Sequence, residues 1–217
     1  MRILILGATG RTGKHILEQT LHKGYIVHVL VRDRSKIHLV HNQLHIFEGS
    51  PADITAIEKA MKDCEAVLSA LNISRTSDFP WAGLRTPKDF LSDTMNKIIA
   101  VCNKLGCKRI IVTTAWGVNE SKKEIPGWFR WFIENSNIKY PYRDHGLLEE
   151  LLKASSLDWT IIRPAGLINS SKEKKVKVSF NGLPKPGLTI SRRNVARFMV
   201  AALEEHAYIK ELPTIST

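Results

Sequence analysis

Three glycines at equal spacing, Gly7, Gly10 and Gly13, form the stretch of this sequence best suited to holding a ligand. They follow an apolar run at residues 3–6 and lead into a helical pattern from Lys14, which predicts a strand, a tight turn and a helix start. The amide groups and the positive end of the helix dipole at such a turn attract anions, and a dinucleotide pyrophosphate fits that field. Compared with the usual dehydrogenase fingerprint, one extra residue separates the first two glycines.

A nucleoside triphosphate loop is a poor match for the same stretch. Gly13-Lys14 is followed by His15, where that loop needs a serine or threonine to hold magnesium. A glycine-rich turn that only connects a strand to a helix remains as the alternative without a ligand.

The residues after the second predicted strand, at 25–31, bear on which dinucleotide binds. Enzymes that use NAD place a carboxylate there for the ribose hydroxyls, whereas the 2′-phosphate of NADP calls for arginine. Here the strand ends in Arg32-Asp33-Arg34. We therefore predict NADP(H), with Arg32 as the main phosphate ligand and Arg34 or Ser35 assisting, while Asp33 keeps NAD(H) as the alternative.

Two more predicted strands, at residues 66–71 and 109–113, end in residues that should face the same cofactor. Ligands of parallel α/β sheets bind beyond the carboxyl ends of the strands. The residues concerned are Ala70, Leu71, Asn72, Thr113 and Thr114. A threonine hydroxyl at this position could meet a nicotinamide or a substrate carbonyl, and ordinary strand threonines are the alternative.

The most aromatic part of the chain, residues 126–133, allows three interpretations. It could cover a flat acceptor as a lid, form a self-association patch or pack in the core, and packing in the core or an interface is favoured. A loop predicted earlier in the chain, at residues 73–87, could border the substrate pocket.

Composition limits the classes of protein to consider. A chain of 217 residues with 43% apolar residues is long enough for one domain, and its three cysteines form no paired motif. No signal peptide or membrane span is visible, so we expect a cytoplasmic protein without a membrane partner. His38, His41 and His45 come with no further ligand motif, which predicts no metal site.

The formal charge of +11 raises the question of whether the protein binds nucleic acid. The densest basic run, at residues 172–177, lacks the interleaved aromatic residues of a base-stacking surface. A solvated basic loop is the better interpretation, and no nucleic-acid partner is expected.

Strands and helices alternate through most of the chain, which predicts an α/β fold with a doubly wound parallel sheet. The predicted helices after the first lie at residues 53–62, 88–105, 142–154 and 192–205, and the other strands at 44–47, 159–162, 188–191 and 213–216. Asp53 and Ser191 are suited to cap two of these helices.

Several motifs together resemble the NmrA-like, NAD(P)H-binding group of atypical short-chain dehydrogenase/reductases, which includes flavin reductases. They run through nearly the whole chain, at residues 7–13, 31–32, 112–115, 143–145, 157–164, 190–192 and 194–196. The resemblance implies a Rossmann-like sheet of about seven strands. It also implies one domain over residues 1–217, with a small substrate-side portion at about 164–217.

The same resemblance assigns roles to individual residues. Thr9, Arg11 and Thr12 would surround the pyrophosphate, and Arg32 would hold the 2′-phosphate. It places Thr114 near the nicotinamide and His145 close to the substrate pocket, and these two are the candidate catalytic residues. In the hypothesis that follows, Pro164 also lies beside the nicotinamide.

One departure from the wider superfamily affects the expected reaction. Classical members use Tyr-x-x-x-Lys as their proton donor, but Tyr142 is followed four residues later by Gly146 and Tyr140 by Asp144. A ketone needs a positioned donor, whereas a flavin or quinone can take its proton from water. His145 is left as the candidate donor or orienting group, and a structural histidine is the alternative.

The leading hypothesis is an NADPH-dependent reductase of a flavin, quinone or related small conjugated acceptor, acting as a monomer or homodimer. A non-catalytic NADP(H) sensor of the NmrA type is the alternative. A sugar-type reductase or epimerase is disfavoured, because residues beyond about 164 leave little room for a substrate domain.

Overall fold

The chain forms ten strands and six α-helices, and the computed structural model describes all of residues 1–217. The strands are β1 (Arg2–Leu6), β2 (Ile26–Val31), β3 (Leu44–Glu48), β4 (Ala66–Ser69), β5 (Arg109–Thr113), β6 (Asp158–Pro164), β7 (Gly166–Ile168), β8 (Lys177–Ser179), β9 (Thr189–Ser191) and β10 (Thr214–Ser216). The helices are α1 (Gly13–His22), α2 (Ile54–Met61), α3 (Phe90–Leu105), α4 (Gly127–Glu134), α5 (Lys139–Lys153) and α6 (Arg192–Glu204).

One eight-stranded sheet runs through the molecule in the order β3-β2-β1-β4-β5-β6-β10-β8. Its strands are parallel except β8, which pairs antiparallel with β10, and β7 forms a separate parallel pair with β9. The chain crosses from β3 to β4 on the other side of β1, so the crevice between β1 and β4 is the switch point where such sheets bind ligands. The predicted Rossmann-like, doubly wound parallel sheet is confirmed, and β7 and β8 are additions that the sequence did not indicate.

Both faces of the sheet are covered by helices, and β1 shows why. Ile3 and Ile5 pack into one buried cluster with α1 and α6, whereas Leu4 and Leu6 point the other way and pack with α2, α3 and α5. A strand that is buried on both faces has no polar alternation. This burial explains the unbroken apolar run before the glycine loop.

Local sequence signals fix several helix ends. Asp53 caps α2 by accepting a hydrogen bond from the amide of Thr55 (3.0 Å), and Ser191 caps α6 by accepting one from the amide of Asn194 (3.1 Å), as predicted. Thr12 precedes α1 but makes no side-chain cap bond. The amides of Thr12 and Gly13, where the glycine loop enters α1, are left without an acceptor in the protein.

The aromatic stretch forms the short helix α4. The favoured expectation is packing in the core or an interface, and its core alternative is wrong for the two tryptophans, while an interface stays a prediction. Ile133 is buried and Phe129 packs against the core, but Trp128 and Trp131 are exposed.

None of the helices is both long enough and apolar enough to cross a bilayer.

Candidate functional site

The glycine loop is packed so closely that side chains cannot replace two of its glycines. Gly7 has a φ of +84°, and a Cβ atom on it would lie 2.8 Å from the carbonyl oxygen of Ala70. A Cβ atom on Gly13 would lie 2.0 Å from the carbonyl oxygen of Gly7. Gly13 thus lets α1 pack directly on the turn, and Gly7 lets β1 and β4 approach each other.

The same loop presents unpaired amides at the carboxyl edge of the sheet. The backbone N–H groups of Thr9, Arg11, Thr12 and Gly13 donate to no acceptor in the protein, while that of Gly10 closes the turn on the carbonyl of Gly7 (2.9 Å). Together with the positive end of α1, these donors fit a pyrophosphate. The residues present therefore suit the dinucleotide that the sequence predicts.

A groove of about 330 Å³ runs over these amides and along the ends of β1, β2, β4, β5 and β6. Of the predicted cofactor-binding residues, all except Gly13 and Arg34 line it: Gly7, Thr9, Gly10, Arg11, Thr12, Arg32, Ala70, Leu71, Asn72, Thr113, Thr114 and Pro164. Gly13 lies beneath the loop as a packing residue. The structure thus brings together side chains that lie far apart in the sequence.

Of the charged residues that follow β2, only Arg32 lines the groove. Arg34 lies in a one-turn 3₁₀-helix, Arg34–Lys36, outside the lining. The carboxylate of Asp33 accepts hydrogen bonds from the amide (3.0 Å) and hydroxyl (2.6 Å) of Ser35, and these bonds lower its pKa. The carboxylate of Asp33 is thus hydrogen-bonded within its own turn, and among the residues after β2 Arg32 is the charged one that faces the groove.

Arg11 is held by a partner that the sequence did not indicate. Its guanidinium donates to both carboxylate oxygens of Asp78 (2.9 and 2.8 Å), on the loop between β4 and α3. Arg192 also lines the groove, and burial and then the charge of Arg11 lower its pKa. Two guanidinium groups and one carboxylate leave the groove mouth positive, which suits an anionic ligand.

A larger cavity of about 710 Å³, the chamber, opens from the groove. Eight residues line both cavities and form a junction between them: Arg11, Asn72, Ile73, Ser74, Thr114, His145, Pro164 and Leu167. Beyond the junction the chamber wall is largely apolar and aromatic, with Trp116, Trp128, Phe129 and Tyr142. A ligand in the groove and a flat ligand in the chamber would meet at Thr114, His145 and Pro164.

His145 lies at the junction but is unsuited to donate a proton as an imidazolium. Its side chain is buried, its Nδ1 atom has no hydrogen-bond partner, and burial lowers its pKa to about 4. The ring is therefore neutral near pH 7 and can orient a ligand through a hydrogen bond. Of the two expected roles, only the orienting one matches this environment.

Thr114 also has a constrained role, because its hydroxyl donates to Glu149 Oε1 (2.8 Å). Glu149 is fully buried and accepts two further bonds from Arg163, from Nε (3.0 Å) and from Nη2 (2.5 Å). Burial works to lower the pKa of Arg163, but the bonds to Glu149 outweigh it and raise the pKa. A carboxylate only accepts hydrogen bonds, so the Thr114 hydroxyl faces the junction as an acceptor and not as a donor.

The sequence carried one unused signal for Glu149. It stands four residues after His145 and three before the buried Leu152 in α5, so an acidic residue occupies the helix face that is turned toward the core. The nearby Asp144 is buried as well, but its carboxylate caps the N-terminus of α3. Its carboxylate accepts from the amides of Leu91 (2.6 Å) and Ser92 (3.0 Å).

Tyr142 lies in the chamber wall, and its hydroxyl proton is used in a hydrogen bond within the protein. The hydroxyl donates to the carbonyl oxygen of Trp116 (3.3 Å), and burial raises the pKa of Tyr142 to about 12.

No group of three or more histidine, cysteine, aspartate or glutamate side chains is arranged to hold a metal ion.

The eight-stranded sheet, the glycine loop and the continuous groove define the NAD(P)H-binding oxidoreductase fold. The family model described as NAD(P)H-binding matches residues 7–206, and the chain belongs to that family. It is 28% identical over 222 residues to "Oxidoreductase GME11367" of Pestalotiopsis microspora, covering 93% of this chain and 79% of the relative.

Two solved structures share the fold at low sequence identity. The chain is similar to ChuY, described as an anaerobillin reductase, from Escherichia coli O157:H7, with a TM-score of 0.79, 19% identity, and 100% and 97% of the two chains covered. A short-chain dehydrogenase/reductase from Veillonella parvula in complex with NADP gives a TM-score of 0.79 at 19% identity, with 100% and 94% covered.

Proposed function

We propose that the protein is an NADPH-dependent reductase that transfers a hydride to a flavin, a quinone or a related small conjugated acceptor. The observation that carries the proposal is the junction, where the groove and the aromatic chamber meet at Thr114, His145 and Pro164. When bound in the groove, the nicotinamide cofactor would supply the hydride at this place.

In this proposal the residues of the groove bind and orient the cofactor. The amides of Thr9, Arg11 and Thr12 hold the pyrophosphate, and Arg32 holds the 2′-phosphate. Asp33, already bonded to Ser35, does not compete for the ribose. This distribution of charge supports NADPH over NADH.

The polar groups around the chamber support an acceptor that takes its proton from water. Tyr142 is bonded to Trp116 with a pKa near 12, His145 is neutral, and the Thr114 proton is committed to Glu149. None of the three is poised to protonate an alkoxide formed from a ketone. A flavin or quinone avoids that requirement, and the aromatic wall suits a flat ring.

The chamber also gives the C-terminal part of the chain a role. Ala165, Gly166, Leu167 and Leu188 contribute one side of the wall. We assign the substrate side of the site to this part, residues 164–217.

The test is steady-state oxidation of NADPH and NADH with FMN, riboflavin and a simple quinone, with cofactor binding measured on the same sample. Arg32→Ala should weaken NADPH binding by about tenfold to a hundredfold and leave NADH nearly unchanged, because it removes one charge-assisted contact to phosphate. Arg34→Ala, outside the groove, is the matched control. Equal losses for both cofactors would contradict the 2′-phosphate role.

A chamber variant separates the acceptor from the cofactor. Trp128→Ala should raise the KM for the acceptor and leave the Kd for NADPH unchanged, because Trp128 lines the chamber but not the groove. NADPH binding without turnover on any acceptor would overturn the reductase and favour the NADP(H) sensor.

A further inference from the structure

One surface of the molecule is left unexplained by hydride transfer. Five aromatic side chains lie in a chain of ring contacts, and Trp131 stands beside them on α4, three residues after Trp128. The six are here called the aromatic ridge: Phe79, Trp81, Trp128, Phe129, Trp131 and Phe132. Trp128 is 68% exposed and Trp131 is 64% exposed, although indole rings are normally withdrawn from water. Trp131 does not line the chamber, so binding of an acceptor does not account for it.

The ridge is a built surface, because two segments distant in the sequence are tied together beneath it. Trp81 Nε1 donates to the carbonyl oxygen of Asn135 (2.9 Å), and Asn137 Nδ2 donates to the carbonyl oxygen of Trp81 (2.8 Å). The ring centroids of Trp81 and Phe132 lie 6.1 Å apart. The loop before α3 and the helix α4 thus present one apolar face.

Cations border the ridge on one side. A separate cavity of about 430 Å³ beside α4 is lined by four basic side chains, here called the basic rim: Lys122, Arg130, Lys139 and Arg143. Its single carboxylate, Glu134, is paired with Lys122 (2.6 Å). Arg130 and Arg143 have no ion-pair or hydrogen-bond partner, so the rim carries uncompensated positive charge.

We propose that the aromatic ridge and the basic rim dock on the surface of an anionic lipid bilayer. Tryptophan rings suit the interface between headgroups and acyl chains, and adjacent arginine and lysine side chains suit acidic headgroups. A second copy of this chain at the same face would bring a second basic rim to the contact, with no free carboxylate of the rim to oppose it, and this like charge disfavours self-association. This proposal departs from the sequence expectation of no membrane partner.

The position of the ridge gives the docking a consequence for substrate choice, which rests on the proposed function. Trp128 and Phe129 belong both to the ridge and to the chamber wall. An apolar path therefore leads from the docked surface into the chamber. The acceptor class that uses such a path is a lipophilic quinone dissolved in the bilayer.

The experiment measures binding of the full chain to vesicles by flotation, without cofactor, using phosphatidylcholine alone and phosphatidylcholine mixed with phosphatidylglycerol. Binding should require the anionic lipid and weaken as salt rises. Arg143→Gln should reduce the partition coefficient about fivefold, the effect of one cation at an anionic surface, and Trp131→Ala should reduce it further. Val40→Ser and Lys62→Gln, which change exposed residues on other elements, are the matched controls and should bind as the unmodified chain does.

The outcomes separate docking from catalysis. Vesicle binding without turnover would leave the docking intact and overturn only the reductase, whereas turnover on a water-soluble quinone without vesicle binding would overturn the docking alone. Equal binding to neutral vesicles, or loss in the controls as large as in the variants, would also overturn it. So would self-association in sedimentation that Trp131→Ala abolishes, since that result assigns the face to a second copy.

Discussion

The buried pair of Glu149 and Arg163 allows a quantitative test of how the junction is held. Both side chains are almost completely buried, and together they support the hydroxyl of Thr114. We consider Glu149→Gln, which keeps the shape of the side chain and removes its charge. Removing one partner of a buried ion pair costs about 3–5 kcal/mol, because the other charge stays buried without compensation.

The lower end of that range applies here, since Arg163 keeps a second carboxylate. Its Nη2 atom lies 3.0 Å from Glu120 Oε1, and Glu120 is partly exposed. We therefore expect a loss of about 3 kcal/mol in the free energy of unfolding, which corresponds to a fall in Tm of roughly 6–12 °C for a chain of this size. Glu150→Gln changes a neighbouring, exposed carboxylate and should cost less than about 1 kcal/mol.

A double variant distinguishes charge from packing. Glu149→Leu combined with Arg163→Met removes both charges, so no buried ion is left alone, and it should be more stable than Glu149→Gln by about 1–3 kcal/mol. Urea unfolding followed by tryptophan fluorescence and circular dichroism measures all four proteins. A double variant less stable than Glu149→Gln, at an unchanged m-value, would refute the reasoning.

Three further predictions follow from the loop and from α5. Gly7→Ala should abolish dinucleotide binding and destabilise the fold, because its Cβ atom meets the carbonyl of Ala70. Gly24→Ala places a Cβ at a similar positive φ (+78°) with nothing within 4 Å, so it introduces the same backbone strain but should leave binding unchanged in the same titration. Burial holds the pKa of His145 near 4, below its ordinary value of about 6.5, so the unfolded chain binds the proton first as pH falls. Its contribution to stability is fully present above pH 6.5 and should decrease by about 3 kcal/mol toward pH 4, a decrease that His145→Gln should lack in denaturation curves measured across that range. Asp144→Asn should lower the free energy of unfolding by about 2 kcal/mol and speed amide exchange at the start of α3, because a neutral cap replaces a charged one; exchange unchanged there would contradict the capping role.

The sequence could predict the groove because its residues follow from local patterns. Strand ends, helix caps and the glycine spacing are short-range signals, and in a parallel sheet the carboxyl ends of all strands share one edge. Arg32, Asn72 and Thr114 were therefore placed together without knowledge of side-chain contacts.

The rest depended on pairings that no local pattern encodes. Arg11 and Asp78 lie 67 residues apart in the sequence, and Asp144 caps a helix that begins more than fifty residues before it. The residue type alone could not show whether a tryptophan is buried or exposed, because tryptophan occurs in both environments. Trp128 and Trp131 are exposed because of where α4 lies in the fold, and the sequence did not predict that position.

The junction shared by the groove and the chamber has a consequence for inhibition. A compound seated against Thr114, His145 and Pro164 excludes ligands from both cavities, so it competes with each of them in kinetic measurements. A compound confined to the wall around Trp128 and Tyr142 competes only with the occupant of the chamber, and it can bind while the groove is filled.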